Sequence, residues 1–205
     1  MLKKQIALAT FPICKIQLTT LYKTTVLIQN SYAGEIIPHD TLTEAFLSLT
    51  KMKLLDLPAF NSRHGKDIRY PEILSCAKAL KSQYSKVGVV GYCWGGWACF
   101  RLAGEDNLLD CMAVAHPSLL EKKEIDVVKV PTLIIAPEFD PAFTKELRDY
   151  CNEVLPGKGV DYRLDWYSGL AHGFSVKGDS EDEKQRVGLE KAKRSVVSWF
   201  DEWIH

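Results

Sequence analysis

The chain is 205 residues long, 46% hydrophobic and 25% charged, the composition of a soluble globular protein with one domain and a substantial core. Twenty-six Lys and Arg offset twenty-six Asp and Glu, with no basic stripe or acidic tail, so neither nucleic acid nor an anionic membrane surface is expected as a partner. No apolar run reaches the length of a membrane span, and the six cysteines (14, 76, 93, 99, 111 and 151) lack the C-x-x-C spacing of a zinc site or redox pair.

Most of those cysteines lie in apolar surroundings and read as small core residues in a reducing, cytoplasmic compartment. The beginning of the chain is unusual. Residues 1–34 hold four Lys and no acidic residue, and Gly34 is the first glycine. Such a start has some likeness to a transit peptide but lacks Arg. The apolar stretch from Ile6 to Cys14 is short for a secretory core, contains Pro12 and ends at Lys15, so no targeting signal is expected. The alternation Ile16, Leu18, Thr20, Tyr22 predicts a strand over Lys15 to Tyr22, and the β-branched run Thr24 to Ile28 predicts another. Thr41-Leu42-Thr43-Glu44 is a capping-box pattern opening a helix through Leu49. Residues 53–70, with Pro58, Asn61 and Gly65, read as a surface excursion with a short helix at most. Pro71 then fits the first turn of a helix whose buried face is Ile73, Cys76, Ala77 and Leu80.

The stretch that organises the chain follows. Val87 to Val90 reads as a short buried parallel strand. It runs into Gly91-Tyr92-Cys93-Trp94-Gly95, the G-x-C-x-G form of a nucleophile elbow with cysteine in place of serine. Glycines two residues either side of the nucleophile let strand and helix pass closely. Gly96 adds further close packing. Trp97 to Ala103 suits a buried helix whose N-terminal dipole favours a thiolate at Cys93. Further on come strands over Leu109 to Ala115, Val130 to Ala136 and Asp161 to Tyr167. Helices are predicted over Pro141 to Leu155 and Asp182 to Trp203, the latter burying Val187, Ala192, Val196, Trp199 and Phe200. Strands alternating with helices imply an α/β fold with a mostly parallel sheet and right-handed crossovers, in one domain over residues 1–205.

An elbow needs partners at other strand ends, in the chain order nucleophile, acid, histidine. Asp140 leaves the strand that ends at Ala136 and stands where the acid belongs. It competes with a second role as N-cap of the helix opened by Pro141, and Glu138 is the fallback acid. His172 stands after the next strand and ahead of the last helix, where the base belongs. His39 and His64 lie in polar loops and His205 is terminal, so all three read as surface residues. His116, in Ala115-His116-Pro117-Ser118, ends a core strand and is a pocket residue or a buried hydrogen-bonded histidine. The types fit the chemistry: imidazole makes a thiolate available, and a carboxylate fixes the imidazole tautomer. The backbone N–H of Trp94 is the expected oxyanion donor.

With these residues in place, the chain from about Thr24 onward resembles the dienelactone hydrolase (carboxymethylenebutenolidase-like) family, especially its fungal branch, of the α/β-hydrolase superfamily. The resemblance is carried by Gly88-Val89-Val90-Gly91-Tyr92-Cys93-Trp94-Gly95-Gly96, by Val114-Ala115-His116-Pro117-Ser118-Leu119, and by Gly169-Leu170-Ala171-His172-Gly173-Phe174-Ser175-Val176-Lys177-Gly178-Asp179. It implies a Cys93–Asp140–His172 triad and hydrolysis of a small-molecule enol-lactone or activated ester through an acyl-thioester, without metal or organic cofactor. Family members hold a substrate carboxylate with basic residues, and Lys177 lies near one such position where relatives carry Arg. His116 and Phe174 are the other expected substrate contacts. The chain is expected to be a monomer or homodimer.

The resemblance also marks departures. Members have further strands ahead of the Thr24 position, one of them leading into a glycine-containing loop that gives the second oxyanion donor. This chain has no glycine before Gly34, and Gln29-Asn30 stands where members tend to read Pro-Asp. Residues 1–23 therefore read as a diverged replacement or as the start of a shortened protein. Two readings compete with the hydrolase on that ground: a weak or inactive scaffold that binds a small acid or protein partner, and a thiol sensor in which Cys93 is modified without turnover.

Overall fold

The computed structural model describes residues 4–11, 25–28, 57–176 and 181–204. Among the described residues six strands form one sheet: β1 (Lys4–Phe11), β2 (Thr25–Ile28), β3 (Tyr84–Tyr92), β4 (Cys111–Ala115), β5 (Thr132–Phe139) and β6 (Tyr162–Ala171). Their spatial order is β2-β1-β3-β4-β5-β6, and every neighbouring pair is parallel. The helices are α1 (Leu57–His64), α2 (Lys66–Gln83), α3 (Trp94–Ala103), α4 (Lys122–Asp126), α5 (Lys145–Val154) and α6 (Glu183–Ile204).

Buried strands in a parallel sheet present apolar side chains to both faces. Val87 and Val89 of β3, Met112 and Val114 of β4, and Ile134 and Ala136 of β5 share one core cluster with α2, α3, α4 and Cys151 of α5. The alternating residues Val90 and Tyr92, Cys111, Ala113 and Ala115, and Leu133 and Ile135 share the other with Ala192, Val196, Trp199, Phe200 and Ile204 of α6. At Gly88 a Cβ would stand 2.7 Å from the Phe200 ring, so the absence of a side chain lets α6 lie close against β3. None of the described helices is long and apolar enough to cross a membrane.

The structure alters five expectations. Lys4–Phe11 is a strand of the sheet interior, paired with β2 on one side and β3 on the other. The beginning of the chain thus supplies the strand beside β3, whereas the expected strand over Lys15 to Tyr22 and the helix after Thr41 lie outside the described residues. The excursion predicted over 53–70 is largely helical. α2 starts at Lys66, after Gly65 accepts the Ile68 and Arg69 amides, so Pro71 falls inside the helix. His64 is 5% exposed and buried, because it closes α1 instead of lying in a loop. Val187 is exposed, and the buried stripe of α6 starts at Gly188, where an added Cβ would meet Leu170 at 2.3 Å. His39 and His205 lie outside the described residues.

Candidate active site

The strand order reverses between β1 and β3, since the chain runs outward from β1 to β2 and then returns to continue from β3 to β6. Crevices form at the carboxyl ends of strands at such a point. Cys93 follows the last residue of β3 there and serves as the N-terminal flank of α3, with φ 51° and ψ −118°. A side-chain-bearing residue at positive φ is strained and needs its surroundings to hold it. They do so through the backbone: Cys93 N donates to Ala115 O at 3.1 Å, and Cys93 O accepts from Gly96 N at 3.0 Å and Ser118 N at 2.9 Å. The turn closes so tightly that a Cβ at Gly91 would lie 2.3 Å from Gly95 O and 2.6 Å from Cys99 Sγ. Trp94 opens α3 directly after Cys93, and its ring packs 5.0 Å from that of Trp97.

Asp140 lies just past the end of β5, and His172 just past the end of β6. β6 runs to Ala171, four residues further than the sequence suggests, and pairs there with Phe139 across an irregularity in register. His172 N donates to Phe139 O at 2.9 Å, which seats the histidine beside the Asp140 loop. The result is a continuous hydrogen-bonded row. His172 Nδ1 stands 2.8 Å from Asp140 Oδ1, and His172 Nε2 stands 3.1 Å from Cys93 Sγ. Cys93 is 7% exposed, and the side chains of His172 and Asp140 are 5% and 0% exposed.

The competing roles of Asp140 resolve in the details. Its Oδ1 also accepts the Ala142 and Phe143 amides at 2.8 and 2.9 Å, so it closes the turn after β5. The helix itself starts later, with Thr144 accepting the Leu147 amide. Glu138 points elsewhere and accepts Gly169 N at 2.6 Å.

Burial works to raise the Asp140 pKa, but the hydrogen bond and charge of His172 and the two amides outweigh it and hold the carboxyl below its ordinary range. Burial likewise disfavours the His172 imidazolium, yet the hydrogen bonds and charges of Asp140 and Cys93 prevail and raise its pKa. His116 behaves oppositely. Burial, with the neighbouring His172 charge, pushes it down to about 3, so its imidazole stays neutral.

His116 is fully buried, with its ring 4.8 Å from that of His172 and its Nε2 2.7 Å from Ser175 Oγ. Phe174 is 3% exposed and packs on Tyr167 at 4.9 Å. Both therefore support the site from behind and offer a ligand almost no surface. Lys177 lies outside the described residues. Sequence reasoning missed Ser118, whose Oγ is 3.4 Å from Cys93 Sγ, and Ser175. Both stood inside the stretches that carry the family resemblance, which was the available signal. Among the described residues no group of three or more His, Cys, Asp or Glu is placed to hold a metal ion.

A parallel sheet with helices on both faces, carrying a Cys–His–Asp row at its carboxyl edge, defines an α/β-hydrolase-type protein. Residues 24–204 match the model of the dienelactone hydrolase family, and the chain belongs to that family. It is similar to hydrolase tropI of Talaromyces stipitatus, at 34% identity over 65% of this chain and 53% of that protein. The carboxymethylenebutenolidase homolog of Homo sapiens shares 28% identity over 65% of this chain and 56% of that protein. Dienlactone hydrolase 1 of Gibberella moniliformis shares 24% over 80% and 65%. The chain thus spans about half to two-thirds the length of these relatives. Among solved structures, the fold is shared with a dienelactone hydrolase-like promiscuous phosphotriesterase, P91, from metagenomic libraries. Its TM-score is 0.69 at 14% identity, covering 100% of this chain and 89% of that one.

Proposed function

We propose that the protein hydrolyses a small-molecule lactone or activated ester, with Cys93 as nucleophile, His172 as general base and acid, and Asp140 as the group that orients His172. The observation that carries this reading is the row Asp140–His172–Cys93, with distances of 2.8 and 3.1 Å, ending on a strained residue at the N-terminus of a helix. His172 Nε2 takes the thiol proton, and the thiolate attacks the acyl carbon. A C–S bond forms as the carbonyl π pair moves to oxygen. When the oxyanion collapses, the C–O bond to the leaving oxygen breaks, and the imidazolium returns its proton to that oxygen. Water, deprotonated by His172, then attacks the thioester and releases the acid and Cys93.

The Trp94 N–H is the first oxyanion donor in this reading. β1 ends at Phe11, paired with Gly91 two residues before the nucleophile. Lys177 is the proposed partner of a substrate carboxylate, as a point charge where Arg would offer a planar fork. The five described cysteines are all unpaired, which supports a reducing, cytoplasmic setting. A single domain, as monomer or homodimer, without cofactor, completes the proposal.

A burst-phase assay with a small activated aryl ester tests it on wild type and Cys93→Ala. Steady turnover in wild type, lost in the variant, is the expected result. One stoichiometric burst without turnover would instead make Cys93 a thiol that is acylated but not regenerated. Turnover that survives in Cys93→Ala would sink the assignment.

A further inference from the structure

The turn that follows β4 touches both halves of the candidate site, although it belongs to neither. We infer that His116, Pro117 and Ser118 form a positioning element that sets the separation of Cys93 and His172. The inference rests on the reading of those two residues as nucleophile and base.

On the cysteine side the turn is tied by its backbone and by one hydroxyl. Ala115 O and Ser118 N bracket the Cys93 peptide unit, at 3.1 and 2.9 Å. Pro117 lies so close to the first turn of α3 that a Cβ at Gly96 would stand 2.6 Å from its own Cβ. Ser118 Oγ reaches Cys93 Sγ at 3.4 Å, and both residues are buried. On the histidine side, His116 Nε2 is hydrogen-bonded to Ser175 Oγ at 2.7 Å, across 59 residues of sequence. Ser175 lies three residues past His172, in a turn whose own backbone bonds are local, from Phe174 N to Ala171 O and from Val176 N to Gly173 O. The His116–Ser175 bond ties that turn to the centre of the sheet.

Two features argue that this is more than packing. His116 and Leu119 both have positive φ, 39° and 56°. Strained non-glycine residues persist only where the surroundings fix them, and they concentrate at functional sites. A fully buried imidazole is also a costly way to fill space unless its polar atoms are needed. Because His116 stays neutral, no proton is added to its ring across the working pH range, whichever of Nε2 and the Ser175 hydroxyl is the donor. Among the described residues, Asp140 from the end of β5, Cys93 from the end of β3 and His116 from the end of β4 are the ionisable groups coupled to His172, and replacing either serine by alanine leaves their charges in place.

The test is the pH profile of Cys93 alkylation by iodoacetamide, read on the Cys93 peptide by mass spectrometry, for wild type, Ser175→Ala and Ser118→Ala. Thiolate, not thiol, is the form that reacts. With the turn untied, Cys93 loses the well-placed imidazole. In Ser175→Ala the rate near pH 6 is expected to fall by roughly tenfold, while the rate above about pH 9 changes by less than about twofold. Ser118→Ala should give the same pattern with a smaller drop, since it removes one hydrogen bond to the sulfur. Loss of packing alone would lower the denaturation midpoint and leave the profile unmoved. Profiles of both variants that superimpose on wild type would overturn the inference. Alkylation needs no ester turnover, so the two readings fail separately. A wild type with serine-dependent alkylation and no hydrolysis refutes the hydrolase and keeps the positioning element. Hydrolysis with serine-independent profiles does the reverse.

Discussion

Cys93 and His172 face each other across 3.1 Å, yet the chain holds them by different means. Cys93 is fixed by main chain: a buried strand behind it, a buried helix ahead of it, and backbone bonds to Ala115, Gly96 and Ser118. His172 follows an edge strand; one backbone bond to Phe139 O seats its main chain, and its ring is oriented by side chains, Asp140 on its Nδ1 and the His116–Ser175 bond beside it. The sulfur's position is thus a property of the fold, whereas the ring's position is a property of a few side chains. Damage near Cys93 should appear first as lost stability, and damage near His172 first as lost rate.

The largest expected effects are on turnover. His172→Ala should lower kcat by on the order of a thousandfold or more, because it removes both proton-transfer steps. Its denaturation midpoint near neutral pH should fall only by the share that the protonated ring contributes there, without the cooperative transition being lost. A midpoint that collapses with the rate would break the contrast, since the ring would then be part of the fold's support. Asp140→Asn should cost roughly a hundredfold or more in kcat, with KM little changed, because the amide no longer favours the working tautomer and cation. A variant with lost stability and intact rate would reduce Asp140 to the turn closure it also makes with Ala142 and Phe143.

Gly91→Ala probes the other side. Its Cβ would meet main chain at 2.3 Å, which cannot move aside as a flexible side chain does. A loss of about 1–3 kcal/mol or more is expected by chemical denaturation. The contrast sharpens if the residual folded protein keeps its kcat. It breaks if the variant is as stable as wild type and inactive.

The smallest expected effect is on the pH dependence of stability. His172 has a folded pKa above the ordinary 6.5, so its contribution is complete below that value and is lost as pH rises through the raised folded value. His116 is depressed to about 3, so its contribution is complete above 6.5 and is lost as pH falls toward 3. Asp140, below 3.8, loses its share further into acid. Each proton changes the slope by up to about 1.4 kcal/mol per pH unit. Denaturation midpoints measured across pH should show the alkaline limb flattening in His172→Ala. An unchanged alkaline limb would mean that the ring gains nothing from Asp140 on folding.

The elbow was legible because everything it needs is contiguous: an apolar strand, glycines at fixed offsets and a helix. Asp140 and His172 were legible because strand ends can be counted in order. β1 was not. Ile6 to Ala9 is an unbroken apolar run, as a strand paired on both sides in a parallel sheet calls for, and that same composition resembles a secretory core. Only its partners, far along the chain, tell the two apart. α2 was started too late because Pro71 favours a first turn, and the packing of Tyr70 and Ile73 overrode that preference. The bond from His116 to Ser175 had no local signature, since each is ordinary in its own stretch.

The place of β1 has a consequence for the order in which the protein assembles. Strands β3 to β6 pair with one another in sequence order, each separated from the last by one short crossover. β1 instead sets Ile6 opposite Lys86, a loop of about eighty residues (86 minus 6). Closing so long a loop is an entropic cost that must be met before any hydrogen bond of the ladder forms. The half of the sheet that carries Cys93, Asp140 and His172 can therefore form early from nearby contacts. β1 would then be among the last strands to find its place, waiting on the edge that β3 leaves open for it.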